Sequence, residues 1–187
     1  DALIEEGLLT EQECESCDYG DNPEYVNYEK IYNTRFKLLR MAFDRANILE
    51  NEEYKSFVEE NKEWLKDYAM YMAIKDSKNG IAWIEWDEDI RLRKPEAMAR
   101  YEKELEDAIN LYSYQQYLFA TQWAALKAYA NKKGVDIVGD IPIYVAFDSA
   151  DTWTHPELFQ IDDHGNPVAV AGCPPDAFSE TGQLWGN

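Results

Sequence analysis

The 187-residue sequence carries 37 acidic against 18 basic side chains, a formal net charge of -19, which repels phosphate backbones and anionic lipid and so excludes nucleic acid and membrane surfaces as partners. Its 45% hydrophobic and 29% charged content is that of a globular chain with a real core rather than of a disordered one. The length fits one domain, or a helical subdomain joined to part of a larger one. Aromatic residues make up 14%; a large core accounts for most of them, and the remainder suit stacking on flat apolar faces such as those of sugar rings.

The sequence opens on DALIEEGLLT without an initiator Met and closes on CPPDAFSETGQLWGN without a polar tail, so it reads as a piece of a longer protein. Cys14 and Cys17 spell CxxC, but no second pair follows and both histidines, His155 and His164, lie far along the chain. A lone pair cannot close a tetrahedral zinc shell, so two solvent-side thiols and no metal are expected. An odd cysteine count of three without a signal-like segment fits reduced thiols in the cytoplasm, and no stretch approaches the roughly 18 apolar residues that cross a bilayer.

Residues 18–28 are polar and turn-rich, a connector. Tyr28, Ile31, Tyr32, Phe36, Leu39, Phe43 and Ala46 then recur at helical steps with a broad aromatic face. A second helical stretch is predicted over 52–75, bent near Asn61 and broken at 77–80. In IAWIEWDEDIRLRKP, Trp83 and Trp86 form either a sugar platform or packing between two subdomains, and packing is the expected role. Pro95 suits a first helical turn; the pattern runs on to about Lys132 with a break expected near 111–116, and ends on two lysines and Gly134.

The character changes at VDIV, residues 135–138, a β-branched run without alternation that predicts a strand buried on both faces of a parallel sheet. A helix feeding such a strand is half of a βα repeat, so the expected fold class is α/β. Asp140 falls at that strand's carboxyl end, where α/β barrels carry their chemistry, and either caps the next loop or binds sugar hydroxyls. In DSADTW, Asp148, Ser149 and Asp151 offer polar groups, or Asp148 or Ser149 caps a short helix that carries Trp153 inward. LFQIDDHGNPVAVAG predicts a hairpin with His164 solvated in its turn. The last loop alternates hydroxyl-binding Asp176, Ser179, Glu180 and Gln183 with the rings of Phe178 and Trp185, behind a stiffening Pro174 and Pro175. Retaining glycosyl transfer needs two carboxylates about 5 Å apart, and spacing alone nominates no pair among the acids here. Phosphate loop, GxSxG and HExxH motifs are absent from the sequence.

GDIPIYVAFDSADTW, the hairpin and GCPPDAFSETGQLWGN, together with DNPEYVNY, WLKDYAMYMA and QYLFATQWAALKAYAN upstream, resemble the 4-α-glucanotransferases, also called amylomaltases, along essentially the whole chain. The resemblance implies a fragment of a TIM (β/α)8 barrel with a mainly helical lid. Residues 1–112 would form the lid, 113–147 a barrel helix and the third strand, and 148–187 the hairpin and a substrate-groove loop. It implies a cytoplasmic enzyme without cofactor that moves α-1,4-glucan segments between maltodextrins, with retention, through a covalent glycosyl-enzyme. By likeness Asp140 matches a sugar-contacting aspartate, and Asp176, Phe178, Gln183 and Trp185 match loop residues that line donor and acceptor subsites. The nucleophile and acid/base of the family come from later strands, so no catalytic residue is expected in this chain and it is expected to be inactive alone. It departs from the family at Ala177, where a bulky residue is usual, and at Cys173, where an aliphatic one is. The rival readings are an α-amylase-type hydrolase, a non-catalytic glucan-binding module and an acidic helical interaction protein.

Overall fold

Helix starts are written in polar caps. In the computed structural model, which describes residues 1–187 except Pro23, Pro142, Ile143, Asp163, His164, Gly186 and Asn187, α1 spans Ala2–Glu5 and α2 Glu11–Glu15. Thr10 and Glu13 close a reciprocal capping box on α2. The predicted aromatic helix is α3, Tyr28–Ala46, opened by Asn27, whose side chain accepts from the Lys30 N–H at 3.1 Å. It ends at Asn47 with φ 43, a left-handed conformation asparagine tolerates. Asn51 caps α4, Glu52–Glu60, and the expected bend falls at Asn61, which separates α4 from α5, Lys62–Ser77.

The α5 helix is the centre of the molecule: Leu65, Ala69, Met70, Tyr71, Ala73 and Ile74 are all buried on it. Short α6, Glu88–Arg91, and α7, Pro95–Glu104, lead into the 27-residue α8, Glu106–Lys132, which packs along α5. The break expected near 111–116 lies instead at Leu105. The reason is visible in burial: Tyr112, Ser113 and Tyr114 are the points where α8 is pressed into the core, and continuous packing there holds the helix through. One unbroken helix therefore crosses the expected 112/113 division.

The α8 C-terminus follows its sequence. Gly134 takes φ +76, its N–H reaches the Asn131 carbonyl at 3.0 Å, and the Val135 N–H reaches that of Ala130 at 3.0 Å. This is the paired bonding that satisfies a last helical turn. The strand predicted at 135–138 does not form. Strands are held by a neighbour's backbone groups, and no described residue pairs with 135–138. Val138 is 92% exposed and Ile141 78%, so the apolar run lies uncovered among the described residues. The parallel sheet that an α/β class requires is accordingly not formed among the described residues, which are mostly helical.

Beyond it, α9, Ala150–Thr154, is capped by Ser149, as one reading of DSADTW required, and carries Trp153 inward to 1% exposure. The predicted hairpin is reduced to one antiparallel bridge, Ile161 to Pro167, and His164, expected to be solvated in its turn, lies outside the described residues. A second, unforeseen hairpin pairs β1, Gly172–Cys173, with β2, Gln183–Leu184.

One core cluster joins Met70, Tyr71, Ile74, Trp83, Trp86, Ile90, Ala97 and Trp153; another gathers Leu9, Ala42, Ile48, Tyr54, Tyr114 and Leu118. Trp83 and Trp86 are 4% and 3% exposed, which makes them packing residues rather than a sugar platform. Among the described residues no helix is long and apolar enough to cross a membrane.

Candidate functional site

The terminal loop is shaped by Asp176. Its Oδ1 accepts from the Phe178 and Ser179 N–H groups, both at 2.8 Å, and its own N–H donates to the Ser179 carbonyl at 2.9 Å. An aspartate that satisfies two backbone donors in its own turn holds the loop compact without a core beneath it. Phe178 stands on the outside of that turn, 96% exposed. Ser179 Oγ donates to the Gly182 carbonyl at 2.8 Å and closes the turn from the far side.

The chain then enters β2, where Gln183 faces Cys173 and Leu184 faces Gly172. The two strands approach so closely at Gly172 that an added Cβ would lie 2.2 Å from the Gln183 carbonyl oxygen. Gly172→Ala is therefore expected to destabilise the hairpin by about 1–3 kcal/mol, the usual range for overpacking. The measurement is amide exchange at Trp185, whose N–H is held by the Ala171 carbonyl at 2.9 Å; exchange at the wild-type rate would show that the ladder tolerates the methyl.

Gln183 and Trp185 are joined directly, the indole N–H donating to Gln183 Oε1 at 2.9 Å. The Trp185 ring, 46% exposed, leans on Tyr144 with centroids 5.4 Å apart. That contact ties the terminal loop to the segment that follows Asp140. The arrangement presents two exposed rings, a carboxylate and an amide along one hairpin, the mixture that binds a polyol: rings for the apolar pyranose face, polar groups for vicinal hydroxyls. Asp140 is exposed, and its Oδ1 accepts from the Ile141 N–H at 2.8 Å, the local loop cap that was one of its two readings. The structure thus joins Gln183 to Trp185 and shapes their loop through Asp176, while the only side-chain hydrogen bond of Asp140 among the described residues stays within its own turn.

Behind these loops stands Asp148, for which the sequence offered a polar site group or a helix cap. Its Oδ1 accepts from the Tyr71 hydroxyl at 2.6 Å and the Trp83 N–H at 3.2 Å, and its Oδ2 is paired with Lys75. Burial pushes the Asp148 carboxyl up, but the hydrogen bonds from Lys75, Tyr71 and Trp83 outweigh it and hold it below its ordinary value. Burial and the adjacent carboxylate both push the Tyr71 phenol up. Asp148 thereby fastens the 144–154 segment to α5. The Trp83 indole adds a second tie, donating to the Phe147 carbonyl at 2.9 Å and to Thr152 Oγ1 at 3.1 Å. No short-range signal marks this role, since its partners are 65 to 77 residues away. Tyr144 was missed for the same reason. No group of described His, Cys, Asp and Glu residues is placed to hold a metal ion.

The sequence profile of one family, described as 4-alpha-glucanotransferase, matches residues 1–187. A 4-alpha-glucanotransferase of Clostridium butyricum is 47% identical over 188 residues, covering 100% of this chain and 39% of that protein. One from Streptococcus pneumoniae serotype 4 is 46% identical over 189 residues, covering 100% of this chain and 37% of that protein. In three dimensions the chain superposes on an amylomaltase from Streptococcus agalactiae, solved in complex with acarbose, with a TM-score of 0.93 at 41% identity over 100% of this chain and 38% of that one. The chain spans 37–39% of the length of these relatives. On an end-to-end match of both sequence and fold, it belongs to the 4-alpha-glucanotransferase family.

Proposed function

We propose that this chain supplies the helical lid and part of the substrate groove of a 4-α-glucanotransferase, which in the complete protein moves α-1,4-glucan segments between maltodextrins with retention. The observation that carries the reading is the TM-score of 0.93 to an amylomaltase that was solved holding acarbose. In this reading residues 1–112 are lid, 113–147 are a barrel helix and the third strand of a TIM barrel, and 148–187 overhang the cleft. The exposed run 135–138 is then the strand, pairing with other strands of the complete protein and leaving Asp140 at its carboxyl end. Asp140, Asp176, Phe178, Gln183 and Trp185 contact sugar, and the cleaving carboxylates lie outside this chain. No cofactor takes part, because retaining glycosyl transfer needs only two carboxylates and a shaped cleft. The three free thiols support a reducing, cytoplasm-like compartment.

Maltotriose tests the proposal. The complete protein is expected to yield glucose and longer oligomers with little net gain in reducing ends, and the isolated chain to leave the substrate unchanged. A steady rise in reducing ends selects an α-amylase-type hydrolase instead, and redistribution by the isolated chain overturns the placement of the catalytic acids. Trp185→Ala in the complete protein is expected to weaken maltodextrin binding about tenfold, or about 1.4 kcal/mol, the scale of one lost aromatic contact. Unchanged affinity would argue that these aromatics serve packing alone, as in an acidic interaction protein.

A further inference from the structure

The CxxC pair, for which glucan chemistry has no use, lies at the C-terminal end of α2, just ahead of the connector to α3. Cys14 sits in the last turn of α2 and Cys17 just past its end; both are half-buried, and neither is in a disulfide. The Cys17 N–H donates to the Cys14 carbonyl at 3.2 Å. A turn closed in this way brings its first and last Cα atoms within about 7 Å, and disulfides span about 4.4–6.8 Å. The backbone is therefore already close to the geometry a bridge requires.

Access and surroundings point the same way. Cys14 and Tyr19 line a cleft of about 740 Å³ between α1, α3 and α8. Burial, and after it Cys17 and Cys14, push the Tyr19 phenol up. The α2 helix is held by its capping box and by Arg45, whose two terminal nitrogens reach Glu13 at 2.6 and 2.9 Å. Closure has to give up the weak donation from Cys17 Sγ to the Glu13 carbonyl at 3.4 Å.

We propose that Cys14 and Cys17 form a redox-modification site, a dithiol that closes reversibly to an intrachain disulfide by exchange with a small-molecule disulfide of the glutathione type. One thiolate attacks a sulfur of the reagent, breaks its S–S bond and releases the first small thiol. The second cysteine, as thiolate, attacks the protein sulfur of the mixed disulfide, forms the intrachain S–S bond and releases the second. Two electrons and two protons leave the cysteines and appear as two reduced thiols. The residue after Cys17 is Asp18, whose carboxylate pairs with Lys30 at 3.0 Å and whose carbonyl accepts from Thr34 Oγ1 at 3.0 Å. Closure thus fixes the connector at the point where it grips the first turns of α3. Cys173, on β1, lies outside the site.

The test equilibrates the complete protein in buffers of reduced and oxidised glutathione, alkylates free thiols and weighs the tryptic peptide ending at Lys30, which holds Cys14 and Cys17 but not Cys173. The expected result is a closed form lighter than the unalkylated dithiol by about 2 Da, with the closed-to-open ratio changing about tenfold per 30 mV, as a two-electron couple requires. Cys14→Ser and Cys17→Ser should each abolish that form and leave a glutathione adduct on the remaining cysteine, while Cys173→Ser leaves closure unchanged. A wild-type peptide that stays open up to the oxidising end of the series overturns the proposal. So does one that carries only separate glutathione adducts.

Discussion

Replacing Trp153 with alanine should lower stability by about 3–5 kcal/mol, the range for a fully buried aromatic truncated in a core. Trp153 is 1% exposed and belongs to a five-residue helix that could not hold its own shape in water. Its ring lies 5.9 Å from that of Tyr71 and 5.5 Å from that of Trp86, its indole N–H donates to the Ile90 carbonyl at 3.2 Å, and the Arg93 guanidinium sits 4.4 Å above its centroid. Arg93 is itself held by Asp67. Stiff rings on two sides and a pinned guanidinium on a third leave little that can collapse into the space, so the cavity cost should be near its maximum. Trp153→Phe keeps much of the volume and loses the indole donor, and about 1–2 kcal/mol is expected. Urea midpoints at unchanged slope measure both. A native protein has only about 5–15 kcal/mol in hand, so the alanine variant should also loosen the 144–154 segment and with it the Tyr144–Trp185 contact. A loss under about 1 kcal/mol would mean that α9 is not anchored by this side chain.

What could be read from the sequence divides by range. The start of α3 was legible because the spacing of Tyr28, Ile31, Tyr32 and Phe36 is a local fact. The break at Asn61 was legible for the same reason: its side chain bonds the Phe57 carbonyl at 2.8 Å and the Trp64 indole at 3.0 Å, all within four residues. The packing role of Trp83 and Trp86 was readable as the more ordinary of two options. Leu105 was not, since nothing in its neighbours distinguishes it from the 111–116 run as a break. The strand at 135–138 shows the opposite limit. Its apolar run predicts burial, which the described residues do not show, because pairing depends on a second strand and composition does not say where that strand is. At the candidate site, Asp176 and the two exposed rings stood out by residue type and spacing. Asp148 and Tyr144 did not, because their partners are set by the tertiary fold.

Asp148→Ala should be the second most damaging change among those considered, at about 2–3 kcal/mol, since it leaves the Tyr71 hydroxyl, the Trp83 N–H and the Lys75 ammonium without their shared acceptor. The Asp148 side chain is 36% exposed and that of Lys75 21%, so water recovers part of what the ion pair loses and the cost stays below that of a fully buried pair. Asp148→Asn keeps an oxygen for Tyr71 and Trp83 and removes only the charge, and about 1 kcal/mol is expected. The two variants differ from wild type in a way that pH separates. Folding lowers the Asp148 pKa, so its contribution is fully present above the ordinary carboxylate value near pH 4 and is lost as pH falls through the lower folded value. Between about pH 5 and 7 the gap between wild type and Asp148→Asn should be constant, and below about pH 4 it should close as the wild-type carboxylate takes up its proton. The Asp148→Ala gap should narrow over the same range without vanishing, because protonation does not restore the missing acceptor. Urea midpoints from pH 3 to 7 decide the matter: an Asp148→Asn gap that persists unchanged at pH 3 would show that charge at this position contributes nothing, and that the tie between α5 and the 144–154 segment rests on neutral hydrogen bonds alone.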